Sequence, residues 1–428
     1  MRALSGSFLV QMGGMAIAFV SSWFLVRLTT AEQYGLYIYA LSVVGLLGGM
    51  AAAAFDDLSV RQVAAYQSQQ KYQLLLGIIK TGAAVTLGLS FLFALIVYTV
   101  PQSIAQNQHY FNQNKNLLLL SAILLPLWAL TQWGQALLRG SKFVVYSQLP
   151  DALIRPILFL LLVILGNFVC QIPSDANTLL IRYTIAAVLS LLICLWWVNK
   201  KVLGSMPLNT PKAHYDTYNW SKAAGVFFLI SSLNLINLRT DVLAIGGLLP
   251  STDLAYYNIG AKLSELLKMA FVVSNMVFAP LIAHHFAHQN TTALQRLATR
   301  SAWLSVGISL PLVLLLLLLG KPILMWWGSP FATAYAAMMV LCAGQMFNLG
   351  CGLAGNLLAM TGNERWIFVS IIVSTIANVA LNLWLIPQHG ILGAAYATTI
   401  STVLKNLIWV IVVYNKLGIN ATILQTKI

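Results

Sequence analysis

The chain reads as an all-α polytopic membrane protein of about 12 transmembrane helices, arranged in two six-helix halves around a central cavity. Three observations predict this class. Hydrophobic residues make up 59% of the 428 positions and charged residues 8%, whereas about a quarter of residues are charged in a water-soluble domain. Apolar runs of about 20 residues, the length a helix needs to cross a bilayer, recur along the whole chain. A short Tyr-rich segment returns half a chain later. The alternating ten-residue pattern of a membrane barrel is absent.

In order, spans are expected near 6–27, 36–58, 79–100, 117–138, 149–170, 178–198, 221–248, 254–282, 300–320, 334–358, 366–386 and 391–414. The first run, Phe8 to Val26, exceeds the apolar core of a signal peptide and reads as a retained helix. The longest connector contains Pro207 and Pro211 and separates the sixth run from the seventh. It divides the chain into an N-terminal half at 1–200, a cytoplasmic linker at 201–220 and a C-terminal half at 221–428. Cys170, Cys194, Cys342 and Cys351 lie in or beside apolar runs without a CxxC pair, so neither a metal site nor a disulfide framework is indicated. No GxxxxGK[ST] loop is present, which excludes ATP hydrolysis by that route.

The formal net charge is +14. With the N-terminus inside, the inner segments carry Arg2, Arg61, Lys71, Arg139, Lys142, Lys200, Lys201, Lys212, Arg296, Arg300, Arg365, Lys416 and Lys427. The outer ones carry Lys115 and Lys321, with Arg27 at an edge. Thirteen against three sets both termini in the cytoplasm by the positive-inside bias. Topology therefore accounts for the positive charge, and no nucleic-acid partner is implied.

The repeated segment is "VRLTTAEQYGLYIYA" at 26–40 and "GGLLPSTDLAYYNIGAKL" at 246–263. Gly35, Tyr37 and Ala40 fall over Ala255, Tyr257 and Gly260 at a constant offset of 220. Halves of like orientation are related by an axis along the membrane normal, with a substrate path between them.

These residues also carry a resemblance. "RLTTAEQYGLY", "RTDVLAIGGLLPSTDLAYYNIGAKL" and "NVALNLWLIPQHGILGAAYATTIS" look like the first outer connector, the seventh-helix aspartate with its connector, and the last two helices with an Ile-Pro turn of the polysaccharide (O-antigen) repeat-unit flippases. That family belongs to the multidrug/oligosaccharidyl-lipid/polysaccharide exporter superfamily. The resemblance implies a bacterial inner-membrane protein that moves an undecaprenyl-diphosphate-linked oligosaccharide to the periplasmic leaflet for O-antigen, capsule or a related polymer. It implies as further partners the membrane lipids, a polysaccharide polymerase and chain-length machinery.

Ionisable groups inside a bilayer are costly, at least ~2.5 to 3.5 kcal/mol at a helix centre, and mark a lumen, a partner or a pathway. Here they are Arg155 in the fifth span, Arg239 and Asp241 in the seventh, Lys262, Glu265 and Lys268 in the eighth, and Lys405 in the twelfth. Ser231, Asn234, Asn237 and Asp241 share one face of the seventh helix, whereas Arg239 points roughly 200° away from Asp241. Glu265 lies about 17 Å along the eighth span, near the midplane, with a lysine one turn away on each side.

Five bases against two acids describe a cationic lumen suited to a diphosphate. Arginine offers phosphate a forked grip, which puts Arg155 and Arg239 first, with Lys262, Lys268 and Lys405 as point charges. Asp241 and Glu265 are candidates for coupling to H+ or Na+, with Asp241 preferred because no lysine lies one turn away. No other cofactor is expected. Asn234 is placed with the substrate residues. Asn378 and Asn382, at i and i+4, either bond a sugar or bond between helices. His284 and His288 lack a nearby acid or cysteine, so no metal is assigned. Residues 289–300 read as an interfacial helix.

Two alternatives stand beside the flippase. A cation-coupled drug exporter of the same superfamily favours an acidic lumen. A membrane enzyme acting on lipid-linked sugars needs a large catalytic outer loop, and the connectors at 101–116 and 321–333 are short and poor in such groups; no enzymatic activity is expected.

Overall fold

The computed structural model describes residues 2–104, 115–207, 212–288 and 291–423. Much of the expected connector at 101–116, residues 208–211 of the linker, and Gln289 and Lys427 lie outside the described residues. Among the described residues all regular structure is helical, and eleven segments are long and apolar enough to cross a membrane. The chain forms two compact units, Met1–Leu235 and Ile236–Ile428.

The first unit contains α1 (Arg2–Leu28), α2 (Ala31–Ala53), α3 (Asp56–Ser68), α4 (Tyr72–Ile104), α5 (Lys115–Gly140), α6 (Val144–Leu149), α7 (Arg155–Phe168) and α8 (Ala176–Lys201), and it ends within α9 (Thr217–Leu248). Caps start two of these where the apolar runs begin. The Thr30 hydroxyl accepts from the Gln33 amide at 3.3 Å, and the Asp175 carboxylate accepts from the Thr178 amide at 2.9 Å, each satisfying a donor that the first helical turn leaves open. Pro150 cannot supply the N–H that continues α6, and Pro150–Ile154 forms a single π turn before α7, a widening often found at functional sites. Small residues let α2 approach α5: a Cβ on Gly48 would lie 3.1 Å from the Trp128 ring. Close backbone approach of this kind replaces the hydrophobic drive that is missing between helices in lipid.

The second unit holds the remainder of α9, then α10 (Ser251–Glu265), α11 (Lys268–Ala287), α12 (Thr291–Met325), α13 (Tyr335–Gly350), α14 (Ala354–Met360), α15 (Glu364–His389) and α16 (Ile391–Leu417). The tenth run turns at Cys351–Leu353 between α13 and α14, and three further details differ from the sequence reading. The eighth run is not one helix: α10 stops at Glu265, and i→i+3 bonds from the amides of Leu266 and Leu267 to the carbonyls of Leu263 and Ser264 tighten the chain before α11. Residues 291–300 are no separate interfacial helix but the opening turns of α12, whose 35 residues span ~52 Å. The Ile-Pro pair forms part of α15, and the chain reverses at Gly390, whose φ of +59° excludes most side chains.

The sequence repeat has a physical counterpart. α2 begins at Ala31 and α10 at Ser251, so Tyr37 and Tyr257 occupy the same register in their helices, and both are buried.

Candidate functional site

The polar residues of α9 are distributed over several partners rather than one open stripe. Ser231 donates to Asp57 Oδ2 at 3.3 Å, and Asn234 is exposed and donates to the Ile230 carbonyl of its own helix at 3.1 Å. Both belong to the first unit. In the second, Asn237 donates to Ser374 Oγ and Thr375 Oγ1 of α15, each at 3.3 Å.

One helical turn later stands Asp241. Its Oδ2 accepts a 2.6 Å bond from the Tyr257 hydroxyl of α10, and its Oδ1 accepts from the Val242 amide at 2.8 Å. Arg239 forms no ion pair with it, as the helical angle predicts. The Arg239 Nε is buried, and among the described residues it has no hydrogen-bond partner. The residue as a whole is half-buried.

The break in the eighth span lies within its charged triplet. Glu265 ends α10, Lys268 opens α11, and Lys268 Nζ donates to Glu265 Oε1 at 2.8 Å with both side chains well exposed. Lys262 lies half-buried one turn earlier. Lys405 of α16 is half-buried with Nζ 5.1 Å above the Trp409 ring, and Trp409 Nε1 donates to Ser370 Oγ at 2.6 Å. Lys405 is close enough to Lys268 for their like charges to interact, as Asp241 is to Glu265. The second unit thus gathers Arg239, Lys262, Lys268 and Lys405 with Asp241 and Glu265, four bases with two acids.

Asn378 and Asn382 are buried, at 1% and 0% exposure. Asn382 Nδ2 donates to the Asn378 carbonyl at 2.8 Å and to its side-chain oxygen at 3.3 Å. They bond each other along α15, while Asn382 Oδ1 keeps no partner among the described residues.

Arg155 lies in the first unit, at 2% exposure. Its Nη2 is 2.5 Å from Asp151 Oδ1 across the π turn, and its guanidinium lies 4.7 Å from the Trp128 ring centre and 5.9 Å from that of Tyr183. Gln132 Nε2 donates to Asp151 Oδ2 at 2.8 Å. Tyr37 stacks on Phe159 at 5.8 Å and meets Tyr183 edge-on, extending the aromatic wall. This corrects the count of five bases against two acids: Asp151 is the counter-ion of Arg155, so that pair adds no net charge.

Three functional groups escaped the sequence reading. Asp151, at i−4 from Arg155, was visible as a helical pair. Tyr257 stands out in the sequence only through the repeat, because a hydroxyl partner for Asp241 depends on how α9 and α10 pack. Arg182, inside the sixth span, is 7% exposed and holds the connector before it. Its Nη1 donates to Ser174 Oγ at 2.7 Å and its Nη2 to the Ile172 carbonyl at 3.1 Å.

A sequence profile described as "Polysaccharide biosynthesis protein" matches residues 4–286, and one described as "MatE" matches residues 232–384. Similar solved structures include the lipid II flippase MurJ in an inward closed conformation, at TM-score 0.74 and 15% identity over 96% of this chain and 87% of that one. An inward-facing multidrug resistance MATE family transporter of the MOP superfamily aligns at TM-score 0.63 and 12% identity, over 97% and 94%. A MOP superfamily transporter from Pyrococcus furiosus, described as having a binding pocket of reverse polarity, aligns at 0.58 and 12% over 97% and 96%. No curated protein matches the chain.

Proposed function

The chain belongs to the polysaccharide biosynthesis protein family and has the fold of MOP-superfamily transporters; on that premise we propose that it flips an undecaprenyl-diphosphate-linked oligosaccharide repeat unit across the bacterial inner membrane. It is a membrane transporter rather than an enzyme. The observation that carries the substrate assignment is the excess of bases in the second unit, which holds Arg239, Lys262, Lys268 and Lys405 against Asp241 and Glu265. A diphosphate is the natural counter-charge, and a guanidinium grips its oxygens as a fork. Asn378 and Asn382 of the same unit form a buried amide pair with one oxygen in reserve. Arg155, enclosed by Asp151, Trp128 and Tyr183, contributes by holding the π turn rather than by touching a headgroup at rest.

Asp241 is the group we assign to H+ or Na+ coupling, with Glu265 secondary because Lys268 already neutralises it. A cation drives a conformational change only through differential affinity for the two states. The charge bias across the connectors supports cytoplasmic termini. The product of such a flippase serves O-antigen, capsule or a similar polymer, with a polymerase and chain-length machinery downstream.

The second reading, a cation-coupled drug exporter, draws on the MatE match over residues 232–384 and on Asp241 itself. Deleting the gene in its host separates the two. Accumulation of a complete lipid-linked repeat unit in the cytoplasmic leaflet, with loss of surface polymer, supports the flippase; intact polymer with altered drug susceptibility overturns it.

A further inference from the structure

We propose that the first turns of α12 hold a binding site for the headgroup of an anionic diacyl phospholipid, separate from the residues assigned to the transported substrate. A cavity of about 580 Å3 lies along this helix, lined in order by Thr292, Gln295, Arg296, Thr299 and Arg300 and then by Trp303 and Leu304.

Gln295 and Thr299 of the lining are fixed by hydrogen bonds. Gln295 Nε2 donates to the Asn420 carbonyl at 2.6 Å and to Thr299 Oγ1 at 3.2 Å, and the Asn420 amide donates back to Gln295 Oε1 at 2.8 Å. Leu294, Ala298 and Thr299 are buried, which fixes the rotation of the helix and leaves both arginines facing out. Arg296 and Arg300 are i,i+4 neighbours of like charge, an arrangement that disfavours itself. Among the described residues neither has an acidic partner within ion-pair distance. An anion shared between them removes the repulsion.

Depth selects the kind of anion. Trp303 is 56% exposed, and it stands where the polar opening of α12 gives way to its long apolar run, the position aromatic residues take at a membrane interface. Arg300 and Arg296 lie about 4.5 and 10 Å farther along the axis, at the level of lipid phosphates. A diacyl phospholipid satisfies both ends at once, its phosphate against the guanidiniums and its chains along Trp303 and Leu304. Free phosphate uses only the charged end. A zwitterionic lipid brings an ammonium toward two arginines, which repel it.

Membrane topology alone also calls for positive charge here, but topology is satisfied by lysine, whereas a forked grip on phosphate is not. The test therefore compares the purified full-length protein with Arg296→Lys/Arg300→Lys and Arg296→Gln/Arg300→Gln double variants. Native mass spectrometry measures retention of phosphatidylglycerol and phosphatidylcholine, and melting midpoints are read with each lipid and with inorganic phosphate. The wild type is expected to retain phosphatidylglycerol preferentially and to melt higher with it; the lysine variant to retain it about three- to tenfold less well, and the glutamine variant to lose the preference. Retention by the lysine variant equal to wild type, equal retention of the two lipids by wild type, or a melting shift with phosphate matching that with phosphatidylglycerol would each overturn the proposal.

Discussion

The Tyr257 hydroxyl donates a 2.6 Å hydrogen bond to Asp241 Oδ2, joining the second of the two repeated tyrosines to the carboxylate assigned to coupling. Tyr257 is 1% exposed, so water does not replace the bond when it is lost. Leaving one partner of a buried hydrogen bond unsatisfied costs about 1 to 3 kcal/mol. Tyr257→Phe is expected to lower stability by that amount and to change the pH or Na+ dependence of transport while leaving a measurable rate. Asp241→Asn is expected to abolish gradient dependence altogether. Flipping assays in proteoliposomes with and without an imposed gradient check both; an unchanged response in Asp241→Asn removes the coupling role.

Arg155 and Asp151 predict a double-mutant signature. Removing one partner of a buried pair strands the other charge, at about 3 to 5 kcal/mol, whereas replacing both with apolar residues of similar size is often neutral. Asp151→Leu alone should therefore destabilise strongly, and Asp151→Leu with Arg155→Met should recover most of the loss. Denaturation midpoints for the two single variants and the double variant decide it. Additive losses in the double variant would show that the aromatic wall, rather than the ion pair, carries the energy.

Substrate affinity should follow Arg239. Arg239→Gln removes the charge and the guanidinium fork and is expected to raise KM for lipid-linked substrate about tenfold or more, and Arg239→Lys to restore part of it, since lysine keeps the charge but loses the fork. Glu265→Gln is the contrasting case. Its pair with Lys268 is exposed and contributes at most about 1 kcal/mol, so its melting midpoint should stay near wild type.

Gly393 tests the helical hairpin of α15 and α16. A Cβ at this position would overlap the Leu385 carbonyl, backbone against backbone, with no side chain able to yield. Gly393→Ala is expected to cost about 3 kcal/mol or more, seen as a lower melting midpoint or lost expression. Gly88→Ala, where an added Cβ meets nothing within 4 Å, is the matched control.

The twelve runs were legible because a bilayer demands long apolar segments, and each run is largely helical in the structure, the second turning at Ala54–Phe55 and the tenth at Cys351–Leu353. The division of the eighth was not, since apolar residues continue through Leu266 and Leu267 and hydropathy has no term for a change in hydrogen-bond pattern. Residues 291–300 misled in the opposite direction: their polarity suggested a helix lying in the interface, but a helix longer than the bilayer is thick carries polar turns beyond it. At the candidate site the charged residues were found by their cost in lipid, and the i,i+4 spacing of Asp151 and Arg155 was open to inspection.

Composition and pattern by themselves determined that this is a helical membrane protein, where its spans lie, and that residues 31–40 and 251–260 repeat in the same register, because burial in lipid and helical periodicity act through local sequence. Only the tertiary structure decided which charges are satisfied. Trp128 and Tyr183 close over Arg155, Asp241 is held by Tyr257, and Arg239 Nε is buried without a partner among the described residues, because these neighbours come from helices whose packing no local pattern encodes.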